Sequence, residues 1–169
     1  NSRVQADLID YSQNTTTKER FALMINDVYT REVRAKTLPN KRPETVNAAM
    51  QELLPTLVED TTNFAISTDA GKEFSRLEES IPAQAIHKLK KGTNDIAVLD
   101  RAMQTVKQDS AAAVADGDAA NWVEALPLAI DAHNKRPHSA VYGPPETVER
   151  RPEQDFRVLQ DNARKGLLN

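Results

Sequence analysis

The feature that most constrains this chain is its opening: three short apolar runs in succession, Val4 to Ile9, Phe21 to Tyr29 and Glu32 to Leu38. Each is rich in β-branched or aromatic side chains. In the third, Val33, Ala35 and Thr37 alternate with Glu32, Arg34 and Lys36. That period of two belongs to an edge or half-exposed strand. A polar cluster, Ser12-Gln13-Asn14-Thr15-Thr16, supplies a turn after the first run. Short loops between runs of this kind predict an antiparallel meander.

The periodicity then changes. Pro43 suits the first turn of a helix, and Thr45, Val46, Ala49, Met50, Leu53, Leu54 and Leu57 form a stripe at helical spacing. Pro55 interrupts that stripe and predicts a kink or an end. Phe64-Ala65-Ile66 reads as a buried strand running into "STDAGKEF", and Ala85 to Lys88 as a fifth strand. Asn94 or Asp95 is placed to cap a helix carrying Ile96, Leu99, Met103 and Val106, which runs to Ala115 before Gly117. Asn121 caps another helix, "WVEALPLAIDAHN". The segment "KRPHSAVYGPPETV" is irregular and proline-rich, and Pro152 to Leu168 reads as a polar final helix. No internal repeat is visible. Strand meander, helix, strand, strand, helices is an α/β order, with a core over 1–150 and a helical extension over 151–169.

Composition narrows the chemistry. The 169 residues suit one domain with a sizeable core. There is no Cys and only 3 His, which excludes a thiolate zinc site, a disulfide framework and a cysteine nucleophile. No run is long enough to span a membrane, and the first residues do not form a signal peptide. The lack of Cys fits an intracellular protein. A net charge of −3 argues weakly against a protein built mainly to grip nucleic acid, although local clusters decide phosphate contact. The sequence begins at Asn1 rather than Met and is read as a piece of a longer protein.

Three acids fall on separate elements: Asp7 in the first strand, Asp69 after the fourth and Asp100 on the long helix. Hard divalent cations take carboxylate oxygens and keep open positions for water and phosphate. With 25 acids in the chain, however, some always fall at strand ends, and most carboxylates are solvated surface charges. Asp10 reads as a strand-end or turn carboxylate rather than a ligand. Lys88, Lys90 and Lys91, taken alone, read as a solvated edge, and His87 as a partly buried structural residue. His133 and His138 lack zinc-ligand spacing. Asn134 and His138 are expected to organise the proline-rich loop, and Trp122 to serve as core or subunit contact.

Four motifs in order add weight to the acids. "VQADLIDYS", "AISTDAGKEF", "NDIAVLDRAMQTVK" and "WVEALPLAIDAHNKRPHSAVYGPPETV" together resemble the catalytic core of retroviral-type integrases, especially those of retrotransposons and related DNA elements. The resemblance runs from Val4 to about Arg150. It implies a ribonuclease-H-like α/β fold, a mixed five-stranded sheet flanked by helices. By position, Asp7 and Asp69 correspond to the paired metal ligands and Asp100 to the third acid, for two Mg²⁺ or Mn²⁺ ions. Lys88, Lys90, Lys91, Gln104 and Lys107 correspond to DNA contacts.

The implied activity is metal-dependent 3′-end processing and strand transfer of element DNA into target DNA. A homodimer or higher oligomer is implied, with Thr45 to Leu57 and Trp122 to His133 as candidate interfaces, in an intracellular, nuclear setting with no membrane. Two departures stand out. The family has Glu where Asp100 stands, and the 30 residues between Asp69 and Asp100 are fewer than is usual. Glu73, Glu78 and Asp95 are alternatives for the third acid. The family's amino-terminal zinc domain and basic carboxy-terminal domain are not evident, so the isolated piece is expected to bind DNA poorly and to transfer strands weakly. The alternatives are an inactive integrase-derived core serving as a dimerisation or docking module, and another ribonuclease-H-like nuclease such as a resolvase or transposase.

Overall fold

The structure is a computed structural model. It describes residues 2–13, 15–82, 84–89 and 97–164. The opening runs form strands β1 (Ser2–Asp10), β2 (Phe21–Asp27) and β3 (Val33–Leu38). Helix α1 (Pro43–Leu57) leads to β4 (Phe64–Thr68) and β5 (Ile86–Leu89). Helices α2 (Ala97–Ala115), α3 (Trp122–Lys135) and α4 (Pro152–Arg164) complete the order. The sheet runs β3-β2-β1-β4-β5. The meander pairs are antiparallel, and β1–β4 and β4–β5 are parallel. This is the mixed five-stranded sheet that the sequence predicts. No described helix is long and apolar enough to cross a membrane.

Strand alternation sorts the core into two layers. Val4, Ala6, Leu23, Ile25 and Ile66 face α1, where Val46, Ala49, Met50, Leu53 and Leu54 meet them. Ile9, Ala22, Met24 and Val33 face the other way, onto Leu99, Ala102, Met103 and Val106 of α2 and Leu126 and Ala129 of α3. Both sides of the sheet are therefore covered by apolar helix stripes.

Several boundaries differ from the sequence expectations. Strand β2 stops at Asp27 rather than Tyr29, because the Asp27 carboxylate accepts the Tyr29 and Thr30 N–H groups and turns the chain. Strand β5 is shifted by one residue, to Ile86–Leu89. Helix α1 runs through Pro55 to Leu57. The ring removes one hydrogen bond, to Gln51, whose exposed position lets water take its place. The proline-rich segment is not wholly irregular. It holds 3-10 turns at Ser139–Val141 and Pro145–Arg150, whose Val141 and Val148 pack with Val158 of α4. The proposed cap at Asn94 or Asp95 lies outside the described residues.

Helix α3 is anchored at both ends. The Asn121 side chain caps it by accepting the Glu124 N–H at 3.1 Å. At the other end Asn134 reaches not the proline-rich loop but β3, accepting from the Val33 N–H at 2.9 Å and donating to the Val33 carbonyl at 3.0 Å. It thus replaces a neighbouring strand at the sheet edge. His138 does organise the loop, its Nε2 lying 3.2 Å from the His133 carbonyl. Trp122 stacks on Tyr11 with centroids 4.1 Å apart and donates to Thr15 Oγ1 at 3.0 Å. Since Asn134→Ala would leave a buried N–H and carbonyl unpaired, it is expected to cost about 2–3 kcal/mol in denaturant unfolding. A loss below about 0.5 kcal/mol would show that this clip contributes nothing.

Candidate functional site

The site begins with the end of one strand pairing. Strand β1 pairs with β4 from Ser2↔Phe64 to Gln5↔Ser67 and no further, while its pairing with β2 continues to Asp10. Beyond Gln5 a notch opens on the β4 side, at the carboxyl end of a parallel strand, where ligands gather in such sheets. Asp7, two residues past Gln5 on the face that α2 covers, and Asp69, just past the end of β4, border this notch from its two sides. Asp7 lies inside its strand yet at the end of its parallel partner.

Helix α2 brings the third acid to this notch. The Leu99 N–H donates to Gln5 Oε1 at 3.2 Å, and Leu99 itself is fully buried. Gln5 shares a strand face with Asp7, so this bond seats the first turn of α2 beside it. Asp100 lies in that turn and is exposed. The helix dipole there favours a carboxylate. Sequence reading did not single out Gln5, whose partner Leu99 lies 94 residues away in α2.

Asp7 registers this arrangement. Its carboxyl pKa is raised from 3.8 to about 6, first by burial and then by the charges of Asp69, Asp100 and Glu73, against the lowering effect of the Leu8 N–H. That N–H donates to Asp7 Oδ1 at 2.8 Å, and Asp69 Oδ1 accepts the Gly71 N–H at 2.9 Å. Glu73, on the 3-10 turn Lys72–Phe74, folds back over Gly71. A Cβ on Gly71 would stand 2.6 Å from its carboxyl atoms. Glycine at 71 thus makes room for a fourth acid. Among the described residues no ion pair joins any of the four to Lys, Arg or His.

The donor chemistry fits a hard divalent cation: carboxylate oxygens only, with mutual repulsion that a cation relieves. The side chains as placed do not form a closed cage. Among the described residues no group of three His, Asp or Glu is gathered closely enough to hold a metal ion. Two of the carboxylates are turned onto backbone N–H groups, as bare like charges avoid one another.

The other predicted residues divide. Lys88 is exposed on β5, opposite Ser67 and so on the same sheet face as Asp69. Gln104 and Lys107 are exposed on α2, with Lys107 about 10 Å along the axis from Asp100. Lys90, Lys91 and Asp95 lie outside the described residues. Glu78 stands away from the acids, 3.5 Å from His87 Nδ1, and His87 Nε2 pairs with Thr68 Oγ1 at 2.8 Å. Asp10 forms a turn with the Ser12 N–H and hydroxyl, which hold its pKa down.

Comparison with solved structures places the fold. The catalytic core domain of BIV integrase superposes with a TM-score of 0.66 at 20% identity, covering 92% of this chain and 97% of that one. The HTLV-2 integrase catalytic core domain, solved with magnesium in a trimeric form, gives 0.66 at 16% identity, covering 88% and 95%. No protein-family model matches the sequence, and no curated protein does. The chain has the ribonuclease-H-like fold of a retroviral integrase catalytic core.

The Asp7 pKa carries a stability consequence. Well below pH 4 the group is protonated in both folded and unfolded chains and contributes no difference. Between about pH 4 and pH 6 the unfolded chain ionises while the folded one does not, so the fold loses stability across that window and the loss is complete above about 6. Asp7→Asn keeps the acceptor for the Leu8 N–H and removes the charge. It is expected to stabilise the metal-free protein by about 1 kcal/mol at pH 7.5, discounted for the water around a half-buried carboxyl. Melting curves well below pH 4 should show no gain; a gain equal at both pH values would refute the assignment.

Proposed function

We propose that this chain is the catalytic core of a DNA integrase that processes the 3′ ends of an element's DNA and joins them to target DNA. The observation that carries this reading is the joint action of Asp69, Asp100 and Glu73 on the half-buried Asp7 carboxyl. Asp7 of β1, Asp69 after β4, Glu73 of the 3-10 turn and Asp100 of α2 border one notch, a donor set of the kind that hard-cation phosphoryl transfer uses. The fold shared with two integrase cores, one of them holding magnesium, is consistent with it.

In this reading Asp7, Asp69 and Asp100 hold Mg²⁺ or Mn²⁺, with Glu73 able to stand in for the shorter third acid. Two such ions would supply activation of the attacking hydroxyl and charge relief at phosphorus. The protein's part is to place and hold. Asp7 must give up its proton before it can ligate. Lys107 and Gln104 on α2, and Lys88 with Lys90 and Lys91, take the DNA backbone on either side of the acids. A water oxygen attacks the phosphodiester in line, forming one P–O bond as the P–O3′ bond breaks, and the departing 3′-oxygen takes up a proton to become a 3′-hydroxyl while the water gives one up. That hydroxyl then attacks a target phosphodiester in line, forming a new P–O bond as the target's own P–O3′ bond breaks; the attacking proton leaves to solvent and the released target 3′-oxygen takes one up. No covalent link to the protein forms.

Titration calorimetry with Mn²⁺ tests the ligands. The wild-type protein should bind at least about tenfold more tightly than Asp7→Asn or Asp69→Asn, because removing charged ligands weakens such sites. Equal weak heats in all three would leave only an inactive scaffold. Asp100→Glu adds a methylene of reach and is expected to tighten binding, whereas Asp100→Asn weakens it. Product analysis separates the enzymes: a 3′ end joined to target DNA identifies an integrase, and simple junction cutting identifies a resolvase.

A further inference from the structure

Strand β4 is held unevenly at its end. Its pairing with β1 stops at Ser67, whereas its pairing with β5 continues to Thr68↔Leu89. Asp69 follows, past the last pair on either side. What fixes it at the notch must come from its own turn or from the β5 side.

Two buried polar side chains stand on the β5 side. Strand residues alternate faces, so Thr68 and His87 share the face of Ile66, which packs toward α1. Thr68 is fully buried, and the His87 side chain is 6% exposed. The Thr68 hydroxyl donates to the Asp69 carbonyl at 2.9 Å, and His87 Nε2 lies 2.8 Å from the same Oγ1. A hydroxyl has one proton, and a carbonyl only accepts. With that proton given to the carbonyl, Oγ1 receives the Nε2–H of His87. The direction is the same whichever state Nδ1 is in. Glu78 Oε1, on an exposed side chain, stands 3.5 Å from Nδ1, beyond an ordinary hydrogen bond. The relay therefore runs one way, from His87 to Thr68 to the Asp69 carbonyl.

Its far end meets the turn that Asp69 closes. Asp69 Oδ1 accepts the Gly71 N–H at 2.9 Å. The carbonyl and the carboxylate of one residue are thus both tied, which fixes the backbone and side-chain rotations that aim the carboxylate. Packing alone does not call for the His87–Thr68 pair. Two apolar side chains of the same shape can replace a hydrogen-bonded pair at little cost to stability.

We propose that His87 is a positioning residue for Asp69: through the Thr68 hydroxyl it holds the Asp69 peptide so that the carboxylate is kept in place for a divalent cation. His87 itself touches neither ion nor substrate. The role of Asp69 as a ligand rests on the integrase reading; the hold on its turn does not. Groups that orient a ligand from behind commonly change metal affinity by roughly 10–100-fold.

Calorimetry of the whole chain with Mn²⁺ tests the relay through paired variants. Thr68→Val and His87→Leu each remove one link and should each weaken binding about tenfold. Thr68→Ser keeps the hydroxyl, and His87→Gln keeps an N–H donor of similar reach; both should retain wild-type affinity. Thr68→Val combined with His87→Leu should lose no more than either alone, because links of one relay do not add. The melting temperature of that double variant should stay near the wild-type value, since no buried polar group is left alone. Without metal, the Gly71 N–H should exchange several-fold faster in Thr68→Val and His87→Leu but not in Thr68→Ser. Nitrogen-15 histidine spectra should show a proton on His87 Nε2. A wild-type protein that binds no Mn²⁺ would sink the ligand reading, and Gly71 exchange would then judge the hold on the turn by itself. Exchange unchanged in both apolar variants, a bare His87 Nε2, or equal losses of affinity in Thr68→Ser and Thr68→Val overturns the proposal.

Discussion

The pairing of β1 with β4 ends at Gln5↔Ser67, and most of what this molecule can do follows from that early stop. A parallel pair carried two residues further would bury Asp7 and Asp69 side by side beneath a continuous sheet. Two uncompensated carboxylates there would each lose several kcal/mol of solvation. Ending the pair at Ser67 lets Asp69 leave the sheet and close its own turn on Gly71, while Asp7 stays half in water. Burial and the neighbouring acids still push the Asp7 carboxyl up, to about 6. At the last paired residue the Gln5 side-chain Oε1 accepts from the Leu99 N–H, which sets α2 and its Asp100 at the notch.

The two faces of α2 are used differently. Leu99, Ala102, Met103 and Val106 are buried against the sheet and α3. Met103 therefore could not serve as a DNA contact: its neighbours in space are apolar. Asp100, Gln104 and Lys107 look outward, on the side of the helix away from the sheet. The division follows from the 3.6-residue repeat, so a substitution that helps one face need not disturb the other.

Much of this architecture was legible in the sequence. The alternation of Val33, Ala35 and Thr37 with charged neighbours marked β3, and the stripe from Val46 to Leu54 marked α1, because each pattern reports which side of an element meets apolar atoms. Asn121 announced the start of α3 through the chemistry of its amide. The acids at 7, 69 and 100 were legible only through four motifs in order. What sequence could not show depended on contacts between distant segments. Asn134 was expected to serve the loop beside it, but its partner lies 101 residues away in β3. The proline-rich stretch read as irregular because its turns are fixed by valines that meet α4. The role of Gln5 and the fit of Glu73 over Gly71 likewise exist only once β1, β4 and α2 are brought together.

The four acids also explain why the fold tolerates Asp at position 100. A longer side chain would bring a third negative charge deeper into a notch where Asp7 already resists ionisation. The shorter Asp keeps its charge near solvent and the helix N-terminus, which favours it. Glu73 meanwhile projects from the other wall, made possible by the missing Cβ of Gly71. Charge is thus spread around the notch rather than concentrated within it, and the metal-free protein stays folded without a basic side chain to neutralise the site. On the proposed reading a bound divalent cation would reverse that balance: the repulsion that keeps the carboxylates apart would become the attraction that gathers them, and ionisation of Asp7 would become favourable.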